Sequence, residues 1–244
     1  MIQNKKDCVA IIPARGGSKR IPKKNIKLFD GKPLISYGIK AALQTDLFDM
    51  VIVSTDDQEI ASIAKKYGAE VPFVRPAQIS DDMCVLDDVI EHALDWLEEK
   101  MNKSYKYCCM VYATAPFIKS EHIRVGLERL VLGNADAAIS VTSPPSPAQR
   151  AYTISDQGNL DLIWPEHFAK RSQDLPKSYF DAAQFNWTNI ERCYPINKIN
   201  RNNFSKKIIP IILPRSLVQD LDDTEDWNNA ELMFEVFKSK KLIR

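Results

Sequence analysis

A chain of 244 residues with 33 Lys and Arg against 32 Asp and Glu carries a formal net charge of +1. That balance excludes a general nucleic-acid binder, because cations are gathered locally here rather than present in excess. Hydrophobic content of 45% and charged content of 27% fit one large α/β domain with room for a small insertion, and no apolar run approaches the ~18 residues needed to span a bilayer.

The first predicted element is the apolar run Cys8-Val9-Ala10-Ile11-Ile12, a strand buried on both faces that should stop at Pro13, which cannot donate to a sheet ladder. A glycine pair, Gly16-Gly17, follows among five cations: Arg15, Lys19, Arg20, Lys23 and Lys24. Glycines allow close backbone approach to a ligand, so a buried strand breaking into this loop points to a phosphate site. A solvated basic loop is the alternative. The spacing excludes a Walker A loop and a dinucleotide fingerprint, since the glycines are adjacent and no helix opens here. Arg20, beside the apolar Ile21, is expected to face solvent.

Farther along, Lys32 to Gln44 reads as a helix with Pro33 in its first turn, and Met50 to Ser54 as a second buried strand. Thr55-Asp56-Asp57 is most simply the N-cap of a helix from Gln58 to Tyr67. A short strand Val71–Val74 precedes Arg75-Pro76, a long helix spans Val85 to Met101, and a third buried strand spans Tyr107 to Val111. Tyr112-Ala113-Thr114-Ala115-Pro116-Phe117 then leads to a helix from Ser120 to Leu132. This alternation predicts a doubly wound, mostly parallel sheet, in which Arg15, Asp56, Arg75 and Thr114 share the rim at the strand ends. His92, His122 and His167 lack sequence partners and none reads as catalytic. The five cysteines include no C-x-x-C and read as reduced small hydrophobes. With no signal peptide visible, a cytoplasmic protein is expected.

Past residue 140 the character changes. Thr142 to Pro147 is a rigid connector, Ala151 to Trp164 a hairpin turning at Asp156-Gln157-Gly158, and residues 165–206 show weak periodicity. The expected organisation is a nucleotide-binding α/β domain of residues 1–142 and 207–244, interrupted by an excursion of residues 143–206. The chain returns through a strand, Ile208 to Leu213, and ends in a helix from Thr224 to about Lys240. Before it stands Asp220-Leu221-Asp222. In extended chain the two carboxylates point to one side while Leu221 faces the core, which suits one hard cation such as Mg2+. Thr224 is expected to cap the helix, with Glu225 and Asp226 in its first turn.

Ala14-Arg15-Gly16-Gly17-Ser18-Lys19 with Lys24-Asn25, together with Arg75-Pro76-Ala77, Ser80-Asp81-Asp82 and the D-x-D before the last helix, resembles the sugar-acid cytidylyltransferases. These enzymes make CMP-activated sialic acids and their bacterial relatives. Arg171 to Pro176, Tyr179 to Trp187 and the Tyr112–Phe117 segment look most like the pseudaminic acid branch. The sequence departs from that pattern at Ala183 and Thr188, where glycines are usual, at Asn186 in place of an aromatic, and at Leu86, where a hydroxyl is common.

The resemblance implies a fold of nucleotide-diphospho-sugar transferase type and a homodimer whose insertion closes over the partner's sugar site. It implies Mg2+-dependent transfer of CMP from CTP to a nine-carbon 2-keto (nonulosonic) acid. Nucleotide contacts would come from Ala14, Arg15, Gly16, Gly17, Ser18, Lys19, Lys24, Asn25 and Arg75. Arg15, Lys19 and Lys24 would neutralise the triphosphate, and backbone amides of residues 16–18 would cradle it. Thr114, Arg171, Asp181 and Gln184 would meet the sugar acid, with a purely structural ion pair the equal alternative for Arg171, and Asp220 and Asp222 would meet the metal. Rival readings are an N-acetylneuraminate or legionaminate synthetase, a nucleotidyltransferase for another base or an eight-carbon acid, and a non-catalytic module that kept the fold.

Overall fold

The computed structural model describes residues 7–194 and 207–240. In chain order it contains β1 (Cys8–Pro13), β2 (Leu28–Phe29), β3 (Lys32–Pro33), α1 (Ile35–Leu43), β4 (Met50–Ser54), α2 (Gln58–Lys66), α3 (Leu86–Met101) and β5 (Tyr107–Val111). There follow α4 (Ser120–Leu132), β6 (Ala137–Thr142), β7 (Tyr152–Ile154), β8 (Leu160–Leu162), β9 (Phe180–Asn189), α5 (Ile190–Cys193), β10 (Ile208–Leu213) and α6 (Thr224–Ser239). The main sheet has the order β10-β6-β9-β5-β1-β4. β5, β1 and β4 pair in parallel, as do β6 and β10, while β9 runs antiparallel to both of its neighbours.

β1 shows why the sheet is covered on two sides. Cys8, Ala10 and Ile12 pack with α1, α2 and α4 residues such as Ile39, Ile60 and Ile123, whereas Val9 and Ile11 pack with Ile90, Ala93 and Leu97 of α3. Alternate residues of a strand point to opposite faces, so a strand apolar at every position needs a layer on each. A third cluster lies beyond the strand ends. Phe29 meets Trp227 and Phe234 edge-on at 5.5 and 5.1 Å, and Phe117, Leu217 and Leu221 join them. This seats α6 over the β2–β3 hairpin. No described helix is long and apolar enough to cross a membrane.

Four expectations change. The helix expected from Lys32 begins at Ile35, because Lys32 and Pro33 pair with Phe29 and Leu28 across a two-residue turn. Asp30 and Gly31 there have φ of 45° and 73°, the left-handed pair that suits a tight hairpin. Val71–Val74 is not a strand. Pro72 interrupts its donors, and Ile52–Glu70 forms a lone bridge instead. Asp223, not Thr224, caps α6: its carboxylate accepts from the Asp226 amide in a reciprocal capping box. Finally, residues 180–189 do not belong to the excursion. β9 fills the centre of the sheet, with Trp187 fully buried against Phe48 and its indole N–H donating to the Ile123 carbonyl at 2.9 Å. The described excursion therefore runs from the end of β6 to Tyr179 and carries the β7–β8 hairpin. Residues 195–206 of the expected segment lie outside the described residues.

The β6–β9 register shifts between Ile139 and Val141, and within that bulge Ala183 has φ 47°. A left-handed backbone costs an L-residue with a Cβ roughly 1–2 kcal/mol, partly offset by glycine's greater freedom in the unfolded chain. Ala183→Gly should therefore stabilise the protein by about 0.5–1 kcal/mol. Urea unfolding should show a raised midpoint with an unchanged slope, and a lowered midpoint would refute the strain.

Candidate active site

The loop after β1 is pinned by hydrogen bonds to itself and to the end of β4. The Asn25 side-chain amide, 6% exposed, donates to the Arg15 carbonyl at 2.9 Å and closes the loop on itself. The Gly16 amide donates to Asp56 Oδ1 at 3.0 Å, and the Ser18 amide to the Gly16 carbonyl at 3.0 Å. Those two amides are engaged within the protein, so the expected backbone cradle is not free at Gly16 and Ser18. Glycine is required at position 16 by crowding: a Cβ there would come within 2.8 Å of the Asp57 carboxylate. Asp57 in turn caps α2, accepting from the Glu59 and Ile60 amides at 2.7 and 2.9 Å. Gly17 has open space around it, and Ala14 is buried at the strand end and supports the loop from within.

A cavity of about 310 Å³ opens beside this loop, lined by Arg15, Lys19, Arg20 and Lys24 on one side and Arg75, Tyr112 and Thr114 on the other. Arg75 is only 4% exposed. Its backbone amide donates to the Thr55 carbonyl at 2.8 Å, and a guanidinium nitrogen lies 3.6 Å from Asp56. Its Nε has no hydrogen-bond partner, and the terminal nitrogen nearest Asp56 meets it only as a long ion pair; burial pulls its pKa below the usual guanidinium value despite Asp56. A buried cation with an idle donor at the edge of a cavity fits an anionic ligand. As expected, Arg15, Asp56, Arg75 and Thr114 come together at one rim.

The cations of this rim are paired with carboxylates. Asp82 meets Arg15 at 2.6 Å and also Lys19, and those two hydrogen bonds hold its carboxyl below the usual range. Arg20 is exposed, as expected, but also meets Asp222 at 2.7 Å; the sequence offered no sign of this pair because 202 positions separate the partners. Lys24 donates to the Leu221 carbonyl at 2.6 Å and lies 3.8 Å from Asp222. Its pKa is lowered by burial, an effect opposed by Asp222 and Asp220.

Leu221 is fully buried in the aromatic cluster under α6, and Asp220 and Asp222 flank it in the chain. Burial first and the Asp222 charge second raise the Asp220 pKa, with Lys24 opposing them. This donor set fits a hard divalent cation that completes its shell with water and phosphate oxygens. No described group of three His, Cys, Asp or Glu could hold a metal without such help.

The sugar-side expectations fare unevenly. Asp181 lies near Tyr112, whose hydroxyl is pushed up to about 12 by burial and then by Asp181 and Asp220. Asp181 also accepts from the Ala183 amide at 2.8 Å and so sets the β9 bulge. Gln184 is buried behind the cavity wall, its side-chain amide donating to the Leu217 carbonyl at 2.5 Å. It braces the 215–221 segment from within and does not line the cavity. Arg171 is not brought to the cavity either. It is exposed and forks onto Asp174 at 2.7 and 3.2 Å, an (i,i+3) pair of its own loop. Tyr112 and Asp82 were quoted in the sequence motifs without a role, and Leu86 lines the cavity where a hydroxyl is common.

A sheet that gathers cations at its strand ends and sets a carboxylate pair beside them is the frame of a nucleotidyltransferase. The family model for cytidylyltransferases matches residues 9–198. Over 228 residues the chain is 38% identical to a pseudaminic acid cytidylyltransferase of Campylobacter jejuni, covering 93% of this chain and 96% of that one. It is 34% identical over 236 residues to a CMP-N,N'-diacetyllegionaminic acid synthase of Legionella pneumophila, again covering 93% and 96%. A solved CMP:2-keto-3-deoxy-manno-octonic acid synthetase complexed with CTP shares the fold, with a TM-score of 0.70 at 14% identity over 93% of this chain and 98% of that one. The chain belongs to the cytidylyltransferase family, and it is a CTP-dependent nucleotidyltransferase.

Two expected outcomes test the charge pairing. Asp82→Asn should tighten CTP binding roughly two- to tenfold in equilibrium titration, because exposed ion pairs of this kind are weak and the ligand must displace them. Weakened binding would show that Asp82 supports the ligand instead of competing with it. Arg20→Ala should reduce kcat more than it raises KM for CTP if Arg20 positions Asp222, and unchanged kinetics would return Arg20 to solvent.

Proposed function

We propose that the chain transfers CMP from CTP to the anomeric hydroxyl of a pseudaminic-acid-type nonulosonic acid and releases pyrophosphate. The observation that carries the nucleotide half is Arg75, a nearly buried guanidinium with an unpartnered Nε at a cavity already rimmed by Arg15, Lys19 and Lys24. The sugar half rests on the Campylobacter jejuni relative, aligned over nearly all of both chains. In this reading the triphosphate takes over Arg15 and Lys19 from Asp82. The hydroxyl oxygen attacks the α-phosphorus, the bond from that phosphorus to the bridging oxygen breaks, and pyrophosphate leaves opposite the attack while the hydroxyl proton passes to water.

Arg15, Lys19, Lys24 and Arg75 neutralise charge on the phosphate oxygens, which grows toward the leaving group. Asp220 and Asp222 would hold Mg2+. When bound, the ion would supply Lewis-acid polarisation of phosphate oxygens that lysines alone do not provide. In this reading Thr114 and Tyr112, which line the cavity, and Asp181 near Tyr112 would meet the acceptor. The excursion supports a homodimer: Tyr152, Ile154, Leu160 and Phe168 are each more than half exposed around the β7–β8 hairpin, an apolar surface that a second copy would bury.

Pyrophosphate release measured over four nucleotides and several 2-keto acids tests the reading. CTP with pseudaminic acid should be preferred, with N-acetylneuraminic acid at least roughly a hundredfold less efficient. Preference for N-acetylneuraminic or legionaminic acid would overturn the sugar and keep the transferase. Asp222→Asn should lower kcat on the order of a hundredfold with circular dichroism unchanged. Near-normal turnover with the same Mg2+ dependence would remove the metal assignment.

A further inference from the structure

The segment joining β5 to α4 borders two cavities. Thr114 lines the nucleotide cavity, while Pro116 to Ser120 line a second one of about 470 Å³, closed from the other side by α1. None of the cations of the nucleotide rim reaches this second cavity. It has three lysines of its own: Lys32 from β3, Lys40 from α1 and Lys119 at the start of α4. Glu121 is the one carboxylate among the residues lining it, 4.0 Å from Lys119. Among the described residues neither Lys32 nor Lys40 has a carboxylate partner; Lys40 rests over the Tyr67 ring at 5.2 Å.

Two further features face the same space. α4 is 13 residues long and its N-cap, Lys119, supplies no side-chain cap. The His122 and Ile123 amides turn back to the Lys119 carbonyl, which leaves the Ser120 and Glu121 amides and the positive end of the dipole where Lys119, Ser120 and Glu121 line the cavity. Independently, Ser36 is fully buried, lines the cavity and has a hydroxyl oxygen without any hydrogen-bond partner. Buried hydroxyls are normally satisfied, and one left idle beside an open space marks a missing partner. Three cations, uncapped helix amides and a hydroxyl donor together match a compact, doubly charged oxyanion. The cavity is far larger than such an anion, and Tyr37, Phe117, Ile118 and Phe234 give it apolar walls.

We propose that this second cavity binds a phosphate group, either free or carried on a small molecule with an apolar body, separately from the CTP site. The transfer reaction does not require this site, so the two readings stand or fall independently.

The test is calorimetric titration of the whole chain with CTP saturating and no acid acceptor present, so that the nucleotide cavity is already filled. Inorganic phosphate is injected first, and phenyl phosphate in a second series. Saturable one-to-one binding is expected in the wild type. It should weaken at least tenfold in the Lys40→Ala/Lys119→Ala double variant and severalfold in Ser36→Ala, with thermal unfolding unchanged in both. Tighter binding of phenyl phosphate than of inorganic phosphate would identify a carried phosphate, and equal or weaker binding a free one. Absence of saturable binding in the CTP-filled wild type would overturn the proposal, and so would binding that the double variant retains.

Discussion

The structure around the cavity depends on charge balance within a small volume. Five cations crowd one rim, Arg15, Lys19, Arg20 and Lys24 from the loop after β1 and Arg75 from the end of the following βα unit, with Lys23 beside them in the loop. Each is held by a carboxylate from another segment: Arg15 and Lys19 by Asp82, Arg20 and Lys24 by Asp222, Lys23 by Glu59, and Arg75 by Asp56. Like charges at this density repel, so the loop can be compact only while these partners stay close. The constraint draws together segments distant in sequence without a large apolar contact. Most of the pairs are exposed and worth little individually, which makes them exchangeable for phosphate oxygens. Arg75 is the exception, because its desolvated guanidinium cannot be released to water.

The carboxylate side is positioned differently, by packing. Leu221 is locked among Phe29, Phe117 and Trp227, and its neighbours inherit their direction from it. Lys24 then ties its carbonyl to the cationic loop. The two halves of the site thus share a hydrogen bond, and a disturbance of the aromatic cluster would move both. Asp226 adds a local brace, accepting from the Asp222 and Asp223 amides at 3.0 and 3.1 Å.

Much of this was legible in the residues. Runs apolar at every position, such as Val9 to Ile12 and Met50 to Val53, can only be strands covered on both faces, and they put Arg15, Asp56 and Arg75 at one rim. The Leu221 anchor followed from alternation in extended chain. What was missed has physical causes. The Asp30-Gly31 turn stands in the sequence, but the helical pattern was extended three residues too far back, to Lys32 instead of Ile35. β9 was read as irregular because its bulge at Ala183 breaks the alternation of a strand buried on both faces. Arg20 with Asp222 and Gln184 with Leu217 are long-range contacts with no local signal. For Arg171, the structural ion pair that the sequence left open is the one formed, with a carboxylate three residues on.

The place of β9 also sets an order of assembly. β1, β4 and β5 can pair as soon as they leave the ribosome, but β6 has no neighbour on that side until residues 180–189 arrive to bridge it to β5. β10 and the carboxylate pair behind it come later still. During synthesis the nascent sheet therefore waits with the β5 edge open, a template for wrong strand pairing. The last strand to enter the centre of the sheet is thus what commits the chain to closing around its site.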